Sequence, residues 1–120
     1  MINANELRIG NYLIAQEPEH NGKAFAIDAG DILEIRKGTN TYKYATIPLT
    51  PEILEKCGFR WYDNEWYEIK DKVHLSVSVE GAGYIYFGKG EYLFKSNIKH
   101  LHQLQNLYFA LTNNELNIQL

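Results

Sequence analysis

The sequence predicts an α+β fold in which an antiparallel β-meander is covered by a C-terminal helix. Five apolar side chains share one face of a helix over residues 97–112 when they are placed at about 100° per residue. These are Leu101, Leu104, Leu107, Tyr108 and Leu111. Alternating apolar residues indicate a strand with one face in the core, at Val73, Leu75, Val77 and Val79. Short apolar segments separated by tight turns before residue 48 indicate a second, smaller sheet.

The first 48 residues predict a small bent β-sheet or barrel-like lobe. We expect strands at residues 7–14, 24–28, 32–36 and 41–47, with a bulge at Gly10-Asn11 in the first of them. Turn residues separate these strands: Asn21-Gly22, Ala29-Gly30 and Gly38-Thr39-Asn40. A lone lobe of this size would be only marginally stable, so we expect it to pack against the rest of the chain.

A short helix is predicted to link this lobe to the meander. Thr50 is a good N-cap, and Pro51 suits the first helical position. Glu52 favours the positive end of the helix, and Gly58 is expected to stop it. The chain is therefore predicted to form a single domain over residues 1–120, with sub-lobes at 1–48 and 49–120.

The segment after the linking helix predicts an aromatic meander. Strands at 59–62 and 66–69 flank an Asp63-Asn64 turn, and further strands are expected at 73–79, 84–87 and 92–94. Polar residues alternate along the 73–79 strand and are expected to face water: His74, Ser76, Ser78 and Glu80. A similar alternation near the end predicts a last edge strand, at Leu116, Ile118 and Leu120.

The C-terminal helix is expected to lie across a sheet, or between a sheet and a second body, because its apolar arc is wide. Ser96 or Asn97 can cap its start, and Asn113 can take the left-handed position after its end. Three basic residues crowd the positive N-terminal end, namely Lys99, His100 and His102. Two interpretations stay open: this end faces an acidic partner, or its charges are solvated on a well-packed helix.

Charge and cysteine content bound the class of protein. A net charge of −3 and a pI near 5.8 argue against a dedicated nucleic-acid binder. The single cysteine, Cys57, forbids an internal disulfide and fits a reducing compartment. The first residues lack the basic start and apolar core of a signal peptide, and no apolar run approaches the ~20 residues that span a bilayer. We therefore expect a cytoplasmic protein that does not enter a membrane.

The histidines do not predict a metal site. Metal-binding pairs on a helix lie three or four residues apart so that both imidazoles face one side. His100 and His102 are two apart and would diverge by about 200° around a helix axis. His20 falls in a loop, and His74 lies on the polar face of a strand. Solvated or edge histidines explain this pattern better than a zinc or iron centre does.

No catalytic constellation is evident either. Cys57 is expected at the C-terminal end of the linking helix, whereas a helix N-terminus is the position that lowers a thiol pKa. The closest carboxylate pairs, Glu52/Glu55 and Glu65/Glu68, fall on short elements that face solvent. The glycine-rich turns lie between strands rather than before a helix, where a phosphate would bind. We predict no catalytic residue, no cofactor and no enzymatic activity.

The aromatic residues are the main candidates for a binding site. Nine Trp, Tyr and Phe residues between positions 61 and 94 cannot all point into one small core. The candidate residues are Trp61, Trp66, Tyr84, Tyr86 and Tyr92. Such a face would bind a protein partner or a second copy of the chain, stack the bases of single-stranded nucleic acid, or be covered by the N-terminal lobe. We expect a protein–protein interaction module, with single-stranded nucleic-acid binding as the alternative.

Three segments carry a resemblance to a known family: LRIGNY at 7–12, IPLTPEILEKCGF at 47–59 and LHQLQNLYFALT at 101–112. The chain resembles a family of small uncharacterised proteins of gut bacteria and of their prophages and mobile elements. The resemblance implies a cytoplasmic location and an accessory part in phage or mobile-element biology. It assigns no catalytic or binding residue. The third segment contains His102, Gln103 and Gln105, for which a contact between helix and sheet is a sufficient explanation.

Overall fold

The computed structural model describes residues 2–16, 22–38, 43–87, 90–94 and 98–120, with the backbone alone described at 87 and 90–94. It has the predicted α+β fold. A 3₁₀ helix at Ala4–Glu6 is followed by β1 (Tyr12–Ala15), β2 (Ala24–Ala26), α1 (Ala29–Lys37), β3 (Tyr44–Ala45) and α2 (Pro51–Lys56). The chain continues with β4 (Arg60–Asp63), β5 (Trp66–Lys70), β6 (His74–Ser78), β7 (Gly83–Phe87), β8 (Gly90–Phe94) and α3 (Leu101–Thr112).

The second half of the chain forms the predicted antiparallel meander. Its five strands are neighbours in chain order, from β4 to β8. Tyr67 pairs with Val77, and Leu75 pairs with both Ile69 and Ile85, so these side chains share one face of the sheet.

Helix α3 covers this face, as the sequence predicts. Leu101 and Leu104 are fully buried and Tyr108 nearly so, and all three belong to one core with Leu75 and Val77. Each such side chain contributes roughly 1.5–3 kcal/mol when it is removed from water. The helix is therefore held mainly by its apolar face, which is why unfavourable charges at its start are tolerated.

The start of α3 differs from the prediction. The helix begins at Leu101, and His100 is its N-cap with an extended backbone at φ −128° and ψ 151°. The side-chain oxygen of Gln103 accepts hydrogen bonds from the backbone N–H groups of Lys99 at 2.9 Å and His100 at 3.1 Å. Ser96 and Asn97, the caps predicted from sequence, lie outside the described residues. The end agrees with the prediction, because Asn113 is left-handed at φ 57°.

The N-terminal lobe, defined as the 3₁₀ helix, β1–β3 and α1, is not a four-stranded barrel. Its sheet has three antiparallel strands in the order β2-β1-β3. The strand predicted at 32–36 is wrong, because these residues belong to α1. Asp28 and Asp31 each accept a hydrogen bond from the other's backbone N–H at 2.9 Å, which is a capping box. Gly38 then ends the helix in the left-handed conformation at φ 75°.

Three other predicted strands change in extent. The first is confined to Tyr12–Ala15, because Gly10 turns the chain at φ 95°. The second ends at Ala26, two residues early. The one predicted at 41–47 contains β3 alone among its described residues, while positions 41 and 42 lie outside them.

The last predicted strand is wrong, because residues 116–120 are irregular. This tail is nevertheless attached to the core. Leu116 is buried within it, and the N–H of Gln119 donates to the carbonyl of Lys56 at 3.0 Å.

The linking helix α2 is confirmed in its details. The hydroxyl of Thr50 accepts a hydrogen bond from the N–H of Ile53 at 3.2 Å, and Pro51 occupies the first turn. Gly58 follows the helix at φ 88°. In the described part of the chain, no helix is both long enough and apolar enough to cross a membrane.

Helix α3 joins the two halves of the molecule. The buried amide of Gln105 accepts from the N–H of Tyr12 at 2.8 Å and donates to the carbonyl of Gly10 at 3.2 Å. The side-chain oxygen of Asn106 accepts from the amide of Asn11 at 2.9 Å, and its nitrogen donates to the carbonyl of Glu6 at 2.6 Å. The N-terminal lobe therefore docks on α3, the helix that also packs against the meander.

Candidate functional site

The face of the five-stranded sheet opposite α3 carries a row of rings. Cross-strand pairs place Trp66 beside Ser78, Tyr84 beside Ser76, and Tyr86 beside His74, all on this face. The ring centroids of Trp66 and Tyr84 are 5.1 Å apart, those of Tyr84 and Tyr86 are 6.5 Å apart, and those of Tyr86 and His74 are 4.0 Å apart. We call Trp66, His74, Tyr84 and Tyr86 the aromatic face.

The rings of the aromatic face are half-buried, and none of them belongs to either of the two hydrophobic cores. The hydrogen bonds of the N-terminal lobe described above go to α3. Those contacts therefore give no support to the interpretation that the lobe covers these rings.

The two serines beneath the aromatic face correct a prediction. Ser76 is 0% exposed and Ser78 is 1% exposed, although alternation predicts that they face water. The paired rings of Trp66 and Tyr84 shield them, because side chains directly opposite one another on a sheet are close neighbours. The Ser78 hydroxyl accepts from the N–H of Ala82 at 3.3 Å, whereas the Ser76 hydroxyl has no hydrogen-bond partner among the described residues.

A carboxylate and an imidazole give the aromatic face its polar centre. Glu68 contacts the Nε2 of His74 at 2.9 Å and the Nζ of Lys70 at 3.6 Å. The hydrogen bond with His74 is the main reason why the pKa of Glu68 is lowered. Tyr62 lies at the border of the face, where burial, reinforced by the neighbouring Tyr86, raises the pKa of its hydroxyl. The surface thus combines apolar area with fixed polar groups.

Only some of the candidate residues predicted from sequence come together on one surface of the described structure. Trp66, Tyr84 and Tyr86 come together in the aromatic face. Trp61 pairs with the core residue Tyr67, so it does not share that face. Its ring is 58% exposed, and its Nε1 donates to the carbonyl of Asn64 at 2.6 Å.

The remaining candidate, Tyr92, lies in β8. The backbone register pairs this position with Ile85 and not with Tyr84 or Tyr86. The side chain of Tyr92 lies outside the described residues. Sequence reasoning also omitted His74 from the binding set. His74 lies on the same face of β6 as Ser76, next to the tyrosine-rich strand β7. This alternation along the strand would have indicated that His74 belongs to the same surface as Tyr84 and Tyr86.

Burial leaves the one cysteine unsuited to nucleophilic chemistry. Cys57 is 2% exposed, and burial raises the pKa of its thiol to about 12. A thiol with such a pKa is almost wholly protonated near neutral pH. The structural role that the sequence predicts for it agrees with its place in the core beside Leu54 and Phe59.

Two histidines are closer together than the sequence predicts. The rings of His100 and His102 are 5.9 Å apart and nearly parallel, at an interplanar angle of 20°. The predicted divergence assumed that both residues are helical, whereas the extended backbone of His100 lies before the helix. Within the described ranges, no group of three or more His, Cys, Asp or Glu residues is placed to hold a metal ion. His20 lies outside those ranges.

The comparisons with known proteins give no match: no family model fits the sequence, and no curated protein or solved structure is significantly similar. The resemblance carried by residues 7–12, 47–59 and 101–112 therefore stays a prediction.

Proposed function

We propose that this protein is a non-enzymatic protein-interaction module that binds its partner through the aromatic face. The observation that carries the proposal is the continuous row of four half-exposed rings on the side of the sheet opposite α3. Tyr and Trp are enriched in protein interfaces, and a few such residues usually supply most of the binding energy. The Glu68–His74 pair adds groups that favour one orientation of the partner.

The flat aromatic face supports contact between surfaces more than addition of a strand at the sheet edge. The edge strand β4 is exposed, but its pairing is irregular between Trp61 and Asp63. Such irregularities disfavour pairing with a further strand. The partner in this proposal is another protein or a second copy of this chain, seated on the rings.

A second candidate, binding of single-stranded nucleic acid, is favoured by the spacing of the rings. Bases stack on exposed aromatic side chains with little dependence on sequence. The net charge of −3 and the carboxylate of Glu68 beside the rings count against it. A salt titration separates the two proposals, because phosphate contacts weaken steeply as salt is raised, whereas apolar contacts do not.

The cellular setting is also a proposal. The resemblance to proteins of gut bacteria and their prophages supports an accessory part in phage or mobile-element biology. The lone, buried Cys57 is compatible with a reducing cytoplasm. Pull-down from a lysate of the host, before and after induction of its mobile elements, tests this setting. Partners that appear only after induction are expected.

The central experiment compares a double variant of the face, Trp66→Ala with Tyr86→Ala, with a matched control, Trp61→Ala. The control removes an exposed tryptophan that does not belong to the aromatic face. Sedimentation over a concentration series measures self-association, and the lysate pull-down measures capture of other proteins. Truncation of two interface rings is expected to cost at least about 2 kcal/mol of binding. The control is expected to bind as the wild type does.

Circular dichroism of each variant shows whether the fold is intact before binding is compared. A strictly monomeric wild type that captures no protein contradicts the proposal. Equal loss of binding in the control and the double variant also contradicts it, because binding would then depend on a different surface.

A further inference from the structure

Among the buried polar side chains of α3, His102 differs from its neighbours in its hydrogen bonding. The side chain of Gln103 accepts a hydrogen bond from the backbone before the helix, and those of Gln105 and Asn106 bond to the N-terminal lobe. His102 is 2% exposed, yet neither of its ring nitrogens has a hydrogen-bond partner among the described residues. Buried polar groups in native proteins are nearly always hydrogen-bonded, so this exception calls for an explanation.

His102 lines a cavity of about 640 Å³ between the 3₁₀ helix, β3 and the start of α3. Its polar lining consists of Asn3, Glu6, Thr46, His100, His102 and Gln103, and its apolar lining includes Ile2, Ile35, Tyr44 and Ala45. This volume lies within the range of roughly 300–1,000 Å³ that is usual for small-molecule sites. The mixture of a few convergent polar groups with apolar walls is also typical of such sites.

The charges around the cavity are divided between two sides. One side is the N-terminal end of α3, a twelve-residue helix, where backbone N–H groups carry a partial positive charge and favour anions. The adjacent rings of His100 and His102 offer further hydrogen-bond donors there. The other side carries the carboxylate of Glu6, whose Oε2 is 3.7 Å from the Nε2 of His102 and whose side chain is 51% exposed.

We propose that this cavity binds a free α-amino acid with an apolar side chain. The carboxylate of the ligand would lie at the start of α3 and accept a hydrogen bond from His102. The ammonium group would pair with Glu6, and the side chain would pack against Ile2 and Ile35. This ligand satisfies the unpartnered imidazole and both charges of the site at once.

A zwitterion fits these groups better than a simple ion does. A plain carboxylate would face the repulsion of Glu6, and a plain amine would leave the start of α3, which favours anions, without a ligand. Burial, and secondarily His100, lowers the pKa of His102, while Glu6 acts in the opposite direction. Burial thus favours the neutral form of the ring, which supplies one donor and one acceptor.

The test titrates the full chain at pH 7 with each apolar amino acid, and separately with acetate and methylamine, by calorimetry and by NMR of the histidine rings. At least one amino acid is expected to saturate the protein and to shift the ring resonances of His102. Glu6→Gln and His102→Gln are each expected to weaken binding at least ~10-fold, the scale of one charge-assisted hydrogen bond. Glu52→Gln, at an exposed carboxylate of α2 that does not line this cavity, is the matched control and is expected to bind normally.

Glu6→Gln keeps the proposal testable if the histidine variant does not fold, because the Glu6 side chain is half-exposed. Absence of binding by every amino acid up to ~10 mM overturns the proposal, since weaker sites hold little free energy. So does acetate or methylamine binding as tightly as the amino acids, or binding that survives both substitutions. The site is independent of the aromatic face, so either proposal can fail alone.

Discussion

Replacement of Gln105 by alanine tests how the N-terminal lobe is held on α3. The Gln105 amide behaves as an extra peptide group, because it accepts from the N–H of Tyr12 and donates to the carbonyl of Gly10. Its side chain is 2% exposed, so water is excluded from both contacts. Truncation leaves one donor and one acceptor unpaired, and each unsatisfied buried group costs about 1–3 kcal/mol.

We therefore expect Gln105→Ala to lower the free energy of unfolding by roughly 2–4 kcal/mol, after allowance for partial entry of water. Urea unfolding followed by tryptophan fluorescence measures this change. Hydrogen exchange adds a local readout, because the amide of Tyr12 should lose protection more than those of the meander. The matched control is Gln119→Ala, an exposed glutamine, which should change stability by less than ~0.5 kcal/mol. A Gln105→Ala variant as stable as this control, with Tyr12 still protected, would refute the reasoning.

Three further substitutions test the core, the aromatic face and a helix end. Leu104→Ala removes a side chain that is 0% exposed and should cost about 2–5 kcal/mol in urea unfolding; a smaller effect would mean that α3 is not packed on the meander. His74 lowers the pKa of Glu68, so this pair stabilises the fold above the ordinary glutamate pKa of 4.5 and less as pH falls below it. The stability difference between wild type and Glu68→Gln should accordingly shrink in acid, and a difference that does not depend on pH would contradict the assignment. At Gly38 the backbone φ is 75°, and an added Cβ would meet no atom within 4 Å. Backbone strain alone should therefore make Gly38→Ala less stable by roughly 1–2 kcal/mol, and Gly38→Asn should lose less. Equal thermal melting of the two Gly38 variants would disagree with this account.

The elements that the sequence predicted correctly are those with long, regular periodicity, together with α2, whose capping residues mark both of its ends. The leucines of α3 and the alternating apolar residues at 73–79 repeat over enough positions to identify a single buried face without knowledge of the rest of the chain. Helix α1 is short, and its adjacent Ile32 and Leu33 resemble a strand. Its capping residues are Asp28 and Asp31, but the Ala29-Gly30 pair between them also suits a turn between two strands.

The two candidate sites depend on tertiary facts that local patterns do not contain. Alternation along β6 shows that Ser76 and Ser78 share a face, but the rings that bury them come from β5 and β7 through strand register. The proximity of His100 to His102 depends on where α3 begins, and a boundary shift of a few residues reverses that geometry. Boundaries are the least certain part of any assignment from sequence. The unpartnered state of His102 is a property of the packed structure alone.

The contacts of α3 with both parts of the chain have a consequence for how the molecule unfolds. The helix contributes side chains to the larger core, and its Gln105 amide supplies peptide-like hydrogen bonds to the start of β1. If either the N-terminal lobe or the meander unfolded, α3 would lose contacts that hold it in place for the other part. We therefore expect a single cooperative melting transition and not two separate ones. Fragments that divide the chain near residue 48 would each lose the shared support, and experiments on isolated halves would describe species that the intact chain does not populate.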